Sequence, residues 1–265
     1  MDLTETIEKY RRLRIDEVID HEKFNLISIV HHSTRIEGST LTEVETQVLL
    51  TEGLTPKGKP IQHSLMATDH YAALQLVLKE ATVKRPISTG FIQEINSLVI
   101  RNTGSVYNTM LGVVDARTGA FRKGNVTAGA TYFPNFDKVE KLTNNLADKI
   151  AERMKPDISL IEQANLSFDA HFNLVSIHPF YDGNGRTSRL LMNYIQAYYG
   201  LPLAIVHSES KAEYIQALIK AREQDDINVF RTFMSEEYRE SLAQEILKFE
   251  EMNKPNGSSG FQLMF

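Results

Sequence analysis

Apolar residues recur every three or four positions along nearly the whole chain, and this rhythm lapses in one place, residues 103–134. A chain patterned this way buries helix stripes against one another, so the expected class is all-α with one small extended element. Helices are predicted over 3–20, 23–37, 64–82, 88–101, 136–153, 158–177, 185–199, 210–223 and 227–250. Gly38 supplies a left-handed stop after the second helix. A third helix opens on Thr40-Leu41-Thr42-Glu43, read as a capping box, and ends near Gly53. The lapse is rich in Gly, Thr, Val and Asn. Within it GAFRKGNVTAGATYF reads as a short β-hairpin or extended loop, with KGN at the turn.

The 265 residues suffice for one large domain or two small ones. Net charge is −5, with no long block of one sign, so a broad nucleic-acid footprint is not expected and any phosphate site must be local. The absence of cysteine excludes disulfides, thiolate metal ligands and a cysteine nucleophile, and suits a reducing compartment. The opening MDLTETIEKYRRLRID lacks the apolar core of a signal peptide, and stretches such as LISIV at 26–30 are too short to span a bilayer. The expectation is a soluble, cytoplasmic protein that does not engage a membrane. The ending NKPNGSSGFQLMF has linker composition with an apolar tip, read as a disordered terminus or as a segment that docks on the body or a neighbouring subunit.

One loop concentrates chemistry: His178-Pro179-Phe180-Tyr181-Asp182-Gly183-Asn184-Gly185-Arg186-Thr187-Ser188-Arg189. Gly183 and Gly185 let the backbone turn with its N–H groups aimed one way, a nest for phosphate oxygens. The helix that follows adds its free N–H groups and the positive end of its dipole. Arg186 and Arg189, three apart in the first turn, are placed to reach one anion. Asp182 offers the hard carboxylate that Mg²⁺ takes when it is shared with a nucleotide. His178 titrates near neutrality and is suited to take a proton from a hydroxyl. Each feature alone is more often packing, turn or solvated charge; the conjunction within twelve residues is not.

That stretch resembles the signature of the Fic family, H-x-F-x-[D/E]-G-N-G-R-x-x-R, at every specified position, and the flanking AHFNLVSI and LLMNYI are similar to what surrounds it there. The resemblance runs in outline from about residue 33 to 235. It implies a helical domain with one hairpin, the flap, that moves an adenylyl group from Mg²⁺·ATP to a Ser, Thr or Tyr hydroxyl of a protein. His178 would be the general base and Phe180 a core anchor. Asp182 would bind the metal, and Gly183, Asn184 and Gly185 would cradle phosphates. Arg186 would stabilise the departing pyrophosphate, and Arg189 would grip the γ-phosphate.

The segment 119–134 resembles the family's flap, which pairs with an extended stretch of the target by strand addition, here through Asn125, Val126, Thr127 and Gly129. Phe121 and Arg122 also stand at usual flap positions, whereas Ala128 replaces a larger branched residue. Ser33-Thr34-Arg35-Ile36-Glu37-Gly38 resembles the family's inhibitory motif. In that reading Ser33 helps orient Glu37, which bridges Arg189 and so occupies the arginine that ATP needs. Residues 1–60 would then carry the inhibitory helix, 61–250 the catalytic domain, and 251–265 the tail. Self-modification and a homodimer are compatible with this resemblance.

Three other readings stay open: a hydrolase that removes AMP with a water held by Glu37, a transferase using another nucleotide-bearing donor, and a non-catalytic nucleotide sensor. The histidines at 31, 32, 171 and 178 lack metal-ligand spacing, and His171 reads as a packed residue. Tyr214 is either a nucleobase-stacking residue or a core tyrosine, the second being the better reading.

Overall fold

The computed structural model describes residues 1–17, 21–129 and 131–253. Its helices are α1 (Leu3–Arg12), α2 (His21–Ile36), α3 (Glu43–Glu52), α4 (Ile61–Thr82), α5 (Thr89–Val99), α6 (Phe136–Arg153), α7 (Leu160–Ile177), α8 (Asn184–Tyr198), α9 (Lys211–Glu223) and α10 (Ile227–Met252). Between α5 and α6 lie four short strands, β1 (Val106–Thr109), β2 (Gly112–Asp115), β3 (Thr127–Ala128) and β4 (Thr131–Tyr132). No helix of the described residues is long and apolar enough to cross a membrane.

α8 is the axis of the molecule. It is buried from Arg186 to Gln196, which explains why its sequence reads apolar on one face and small or polar, yet uncharged after Arg189, on the other. α4, α5 and α7 pack around it, so Leu190, Leu191, Tyr194 and Ile195 join Leu74, Phe91, Ile95 and Leu174 in one core. A second core gathers α1, α9 and α10 on the far side of α7, around Ile7, Phe168, Tyr214, Phe230 and Tyr238. The two cores share α7 and α8, which contribute Phe168 and Met192 to one and Leu174 and Leu190 to the other. The loop between α7 and α8 therefore has both ends clamped in apolar packing.

Several boundaries differ from the sequence reading. The helix expected over 3–20 stops at Arg12, because Arg14 turns left-handed at φ 54°, and a 3₁₀ turn follows at Ile15–Glu17. α3 is capped by Thr42 with Glu45, not by Thr40 with Glu43: the Thr42 hydroxyl accepts the Glu45 N–H at 3.1 Å and the Glu45 carboxylate accepts the Thr42 N–H at 2.8 Å. α10 runs on to Met252, and the remainder of the expected tail, 254–265, lies outside the described residues.

The lapse in helical period holds two hairpins where one was expected. β1 pairs antiparallel with β2, Tyr107 opposite Val114, across a turn at Met110 and Leu111. β3 pairs with β4, Thr127 opposite Tyr132. The second turn falls at Gly129 (φ +57°), not at KGN, where Gly124 is absent from the left-handed residues. Residues 121–125 instead form the lead-in to β3, fastened by Arg122 N–H to the Pro179 carbonyl at 3.0 Å.

Candidate active site

The α7–α8 loop is shaped by its own side chains. His178 caps α7 in the left-handed region (φ 53°, ψ 58°), a conformation that favours glycine and turns the chain sharply. Asn184 then closes the loop: its Oδ1 accepts the Phe180 N–H at 2.9 Å and its Nδ2 donates to the Phe180 carbonyl at 2.8 Å. The side chain expected in a phosphate cradle thus clips the loop to the Phe180 backbone. Phe180 is fully buried against Phe121, anchoring the clip from below. Asn96 on α5 donates to the Asp182 carbonyl at 3.0 Å and to Thr187 Oγ1 at 3.1 Å, tying the loop to α5. Gly183, at φ +78°, lies so close to Asn96 and Ile100 that a Cβ would fall 2.8–2.9 Å from their side chains.

α8 starts without a side-chain cap, so its first N–H groups have no side-chain partner there, the condition under which a helix N-terminus can receive an anion. Glu37 fills that place. A Cβ on Gly185 would come within 2.5 Å of Glu37 Oε1, which is the reason this position admits only glycine while the carboxylate is there. Glu37 Oε1 accepts from Arg189 Nη2 at 2.7 Å. Burial disfavours the charged carboxylate, yet Arg189, with Arg186 and Lys211 further off, outweighs it and holds the carboxyl below its ordinary value. The Glu37 side chain is still 33% exposed, so solvent reaches the bridge from one side.

Ser33 does something other than orient Glu37. Its Oγ accepts from Arg189 Nε at 2.8 Å and its carbonyl accepts from Arg189 Nη2 at 2.9 Å. Serine and glutamate thus seize the same guanidinium. Arg189 is nearly fully buried, and Tyr214 lies against it with its hydroxyl 2.8 Å from His171 Nε2. Tyr214 is a core residue. Arg186 is buried as well, donating from Nη1 to the Val99 carbonyl at 3.1 Å and approaching Asp182 Oδ1 at 3.4 Å.

Asp182 sits at the rim, its side chain 49% exposed. Its Oδ1 accepts the Gly183 N–H at 2.6 Å, and a carboxylate retains further lone pairs for a cation. One exposed hard carboxylate beside an anion site suits Mg²⁺ shared with phosphates, since that ion keeps waters and needs few protein ligands.

The His178 ring donates from Nδ1 to the Val175 carbonyl at 3.3 Å, which leaves Nε2 with its lone pair. Burial lowers its pKa to about 4, with Arg122 and Arg222 adding to the effect while the Val175 bond and Glu37 oppose it. The imidazole is therefore neutral at pH 7. Phe133 stacks on it at 3.9 Å and 15°, with Arg222 on the same phenyl ring.

The hairpin β3–β4 hangs over this site from one rivet. Arg122 is 2% exposed and its guanidinium donates to the carbonyls of His178 at 2.8 Å, Gly124 at 2.8 Å and Pro134 at 2.5 Å. It joins both feet of the hairpin to the His178 backbone. Tyr181 assists, accepting the Lys123 N–H at 3.2 Å while stacking on Tyr107 of β1. Asn125 belongs to the hinge: its Oδ1 accepts the Phe136 N–H at 3.0 Å at the start of α6. Val126 is half-buried, whereas Thr127, Ala128 and Gly129 are exposed. Sequence reasoning missed Asn96, Phe133 and Tyr181. Only Asn96 left a trace, as an amide on the apolar face of α5.

Residues 86–196, from α5 through most of α8, match the Fic/DOC family. They are a Fic/DOC domain. The protein adenylyltransferase Fic of Drosophila willistoni is 30% identical over 208 residues, 78% of this chain, which spans only 39% of that relative's length. A Fic domain-containing signalling protein from Bacteroides thetaiotaomicron superposes with a TM-score of 0.81 at 23% identity, covering 95% of this chain and 98% of that one. Fic-1 from C. elegans gives 0.78 at 24% identity, covering 95% and 72%. At those identities the two structures speak for the fold. In this chain the Fic domain is extended by α1–α4 ahead of it and by α9 and α10 behind it, and α2 brings Glu37 to the domain's own arginine.

Proposed function

We propose that this chain is a protein adenylyltransferase that moves AMP from Mg²⁺·ATP to a Ser, Thr or Tyr hydroxyl of a protein, and that Glu37 restrains it. The observation that carries the reading is a neutral, half-buried imidazole beside an uncapped helix N-terminus lined by two buried arginines. The name of the 30%-identical relative supports it. Residues 1–60 supply the restraint and 61–250 the catalytic body, and a cytoplasmic setting suits a cysteine-free chain.

In this reading the phosphates of ATP lie over Gly183, Gly185 and the first turn of α8. Arg189 holds the γ-phosphate, and Arg186 stabilises charge on the leaving side. Asp182 would hold Mg²⁺, which neutralises charge on the phosphates. The target hydroxyl attacks the α-phosphorus in line while His178 Nε2 takes its proton. The bond from the α-phosphorus to the bridging oxygen breaks, and pyrophosphate departs. No covalent enzyme intermediate is needed, and positioning with charge stabilisation supplies the rate. The exposed strand of the flap receives the target backbone by strand addition, and the same edge suits self-modification.

Glu37 competes with the γ-phosphate for Arg189. A coupling of about 1–3 kcal/mol corresponds to roughly 5–150-fold suppression. The test is transfer of label from α-labelled ATP to protein by wild type, Glu37→Gly, and Glu37→Gly with His178→Ala. Expected are weak, strong and absent label respectively. Equal label in wild type and Glu37→Gly would remove the restraint from this account, and label surviving in the double variant would remove His178 as base.

A second reading is favoured by the place of the Glu37 carboxylate directly over Gly185, where it is able to hold a water that attacks the phosphorus of an adenylylated side chain and releases its hydroxyl and AMP. Removal of AMP from a pre-modified target by wild type, and not by Glu37→Gly, would select that hydrolase.

A further inference from the structure

α2 carries a second group of chemical side chains one residue ahead of Ser33. His32 faces the short turn before α9. Its Nδ1 accepts the Ser208 N–H at 3.1 Å, and lies 3.0 Å from Ser208 Oγ and 3.4 Å from Glu209 Oε2. His207 packs edge-on against the same ring, with centroids 4.7 Å apart, and its Nε2 lies 3.4 Å from Ser241 Oγ on α10. One ligand atom from each of His32, His207 and Glu209 lies within 4.8 Å of the other two. The transfer reaction proposed above uses none of the three.

We propose that His32, His207 and Glu209 bind a divalent transition metal of the Zn²⁺ class, which clamps α2 to the 207–209 turn. Two imidazoles and one carboxylate are a donor set that Zn²⁺ takes with water in the fourth place, whereas Mg²⁺ and Ca²⁺ prefer oxygen donors alone. Tetrahedral ligands about 2.0–2.1 Å from a zinc ion lie roughly 3.3 Å from one another. His32 Nδ1 and Glu209 Oε2 already stand at 3.4 Å, and closing the site asks the Ser208 N–H to leave the His32 ring and the three ligand atoms, now within 4.8 Å of one another, to draw together.

The ring chemistry agrees. A nitrogen that accepts a backbone N–H carries a lone pair, which on His32 points at the 207–209 turn, and an ion bound there would take the place of the Ser208 N–H. Ser241 stands behind His207 as the kind of outer partner that orients a ligating ring. Glu209 is exposed, so an ion reaches the group directly from solvent. The competing account is a hydrogen-bonded cluster that joins α2 to the turn with no metal at all.

The two accounts separate by calorimetric titration of metal-free full-length protein with Zn²⁺ alone. The wild type is expected to bind one equivalent at this site. His207→Ala and Glu209→Gln are each expected to weaken that binding by about 10–100-fold or more, since even outer-shell changes have effects of this size. Zn²⁺ is expected to raise the melting temperature of the wild type and not of His207→Ala. Both variants lie outside the transfer site, so the melting temperature without metal and the basal transfer should match the wild type, which confirms the fold. Equal zinc affinity in the wild type and both folded variants would overturn the site in favour of the hydrogen-bonded cluster. This readout needs no transfer activity, so its failure is distinct from a failure of the transferase reading.

Discussion

The cradle at the start of α8 and the flap above it face one another across the same space, yet they are built in opposite ways. In the cradle Asn184, Arg186 and Arg189 are buried and each is held by the fold: Asn184 by the Phe180 backbone, Arg186 by Val99, Arg189 by Ser33 and Glu37. The flap is a ladder of two residue pairs with Tyr132 85% exposed, tethered chiefly through Arg122. The difference follows from what each would recognise. Phosphate geometry is constant and rewards preorganised donors, which act without reorganisation in a water-poor site. A polypeptide backbone varies in side chains but not in its hydrogen bonds, so a short open edge suffices.

The largest effect expected is on the cradle side. In a Glu37→Gly background, His178→Ala should lower transfer roughly 10²–10⁴-fold while ATP binding, followed by thermal shift, persists. Lost binding would mean that the ring organises the cradle instead of moving a proton.

Acid should strike the cradle and α2 and spare the flap. His31, His32, His70, His171 and His178 all have pKa values lowered chiefly by burial, His32 and His178 to about 4, whereas residues 119–134 contain no histidine. These groups favour folding fully above their ordinary value near 6.5. As pH falls from there toward 4, the unfolded chain takes protons that the folded one refuses, and stability declines. Each such proton contributes about 1.4 kcal/mol per pH unit. Urea midpoints should therefore drop steadily from pH 7 to pH 5; an unchanged midpoint would show that these rings are protonated within the fold.

Arg122→Ala should loosen the flap without dismantling the cradle. Three carbonyls lose their donor, for a loss of about 1–3 kcal/mol in stability, and the KM for a protein target should rise more than kcat falls. A fall in kcat alone would place Arg122 with the catalytic loop, through its bond to the His178 carbonyl. Smallest of all, Tyr132→Ala should leave stability within about 0.5 kcal/mol and alter only target affinity. A stability change larger than that would mean the exposed edge is packed against something.

How much of this was legible beforehand depends on sequence distance. The α7–α8 loop announces itself because its chemistry is contiguous: glycines, arginines and histidine fall within twelve residues, and the geometry of the turn is local. The helices were legible wherever an apolar stripe persisted. Failures came where backbone conformation decided matters, as at left-handed Arg14, or where two cap candidates stood two residues apart, as at Thr40 and Thr42. KGN misled because glycine with asparagine signals a turn, while the fold places the left-handed residue at Gly129.

The sequence by itself determined the helical class, the loop that concentrates the candidate site residues and the existence of a paired carboxylate candidate in Glu37, because propensity, period and contiguous motifs act over a few residues. Only the tertiary structure decided that Glu37 meets Arg189 across 152 positions, that Ser33 binds the arginine and not the glutamate, and that Asn184 clips the loop. It alone placed Arg122 under both feet of the flap and Phe133 on His178. Those contacts depend on how α2, α5 and the hairpin pack on α8, and packing brings together side chains whose spacing along the chain carries no signal.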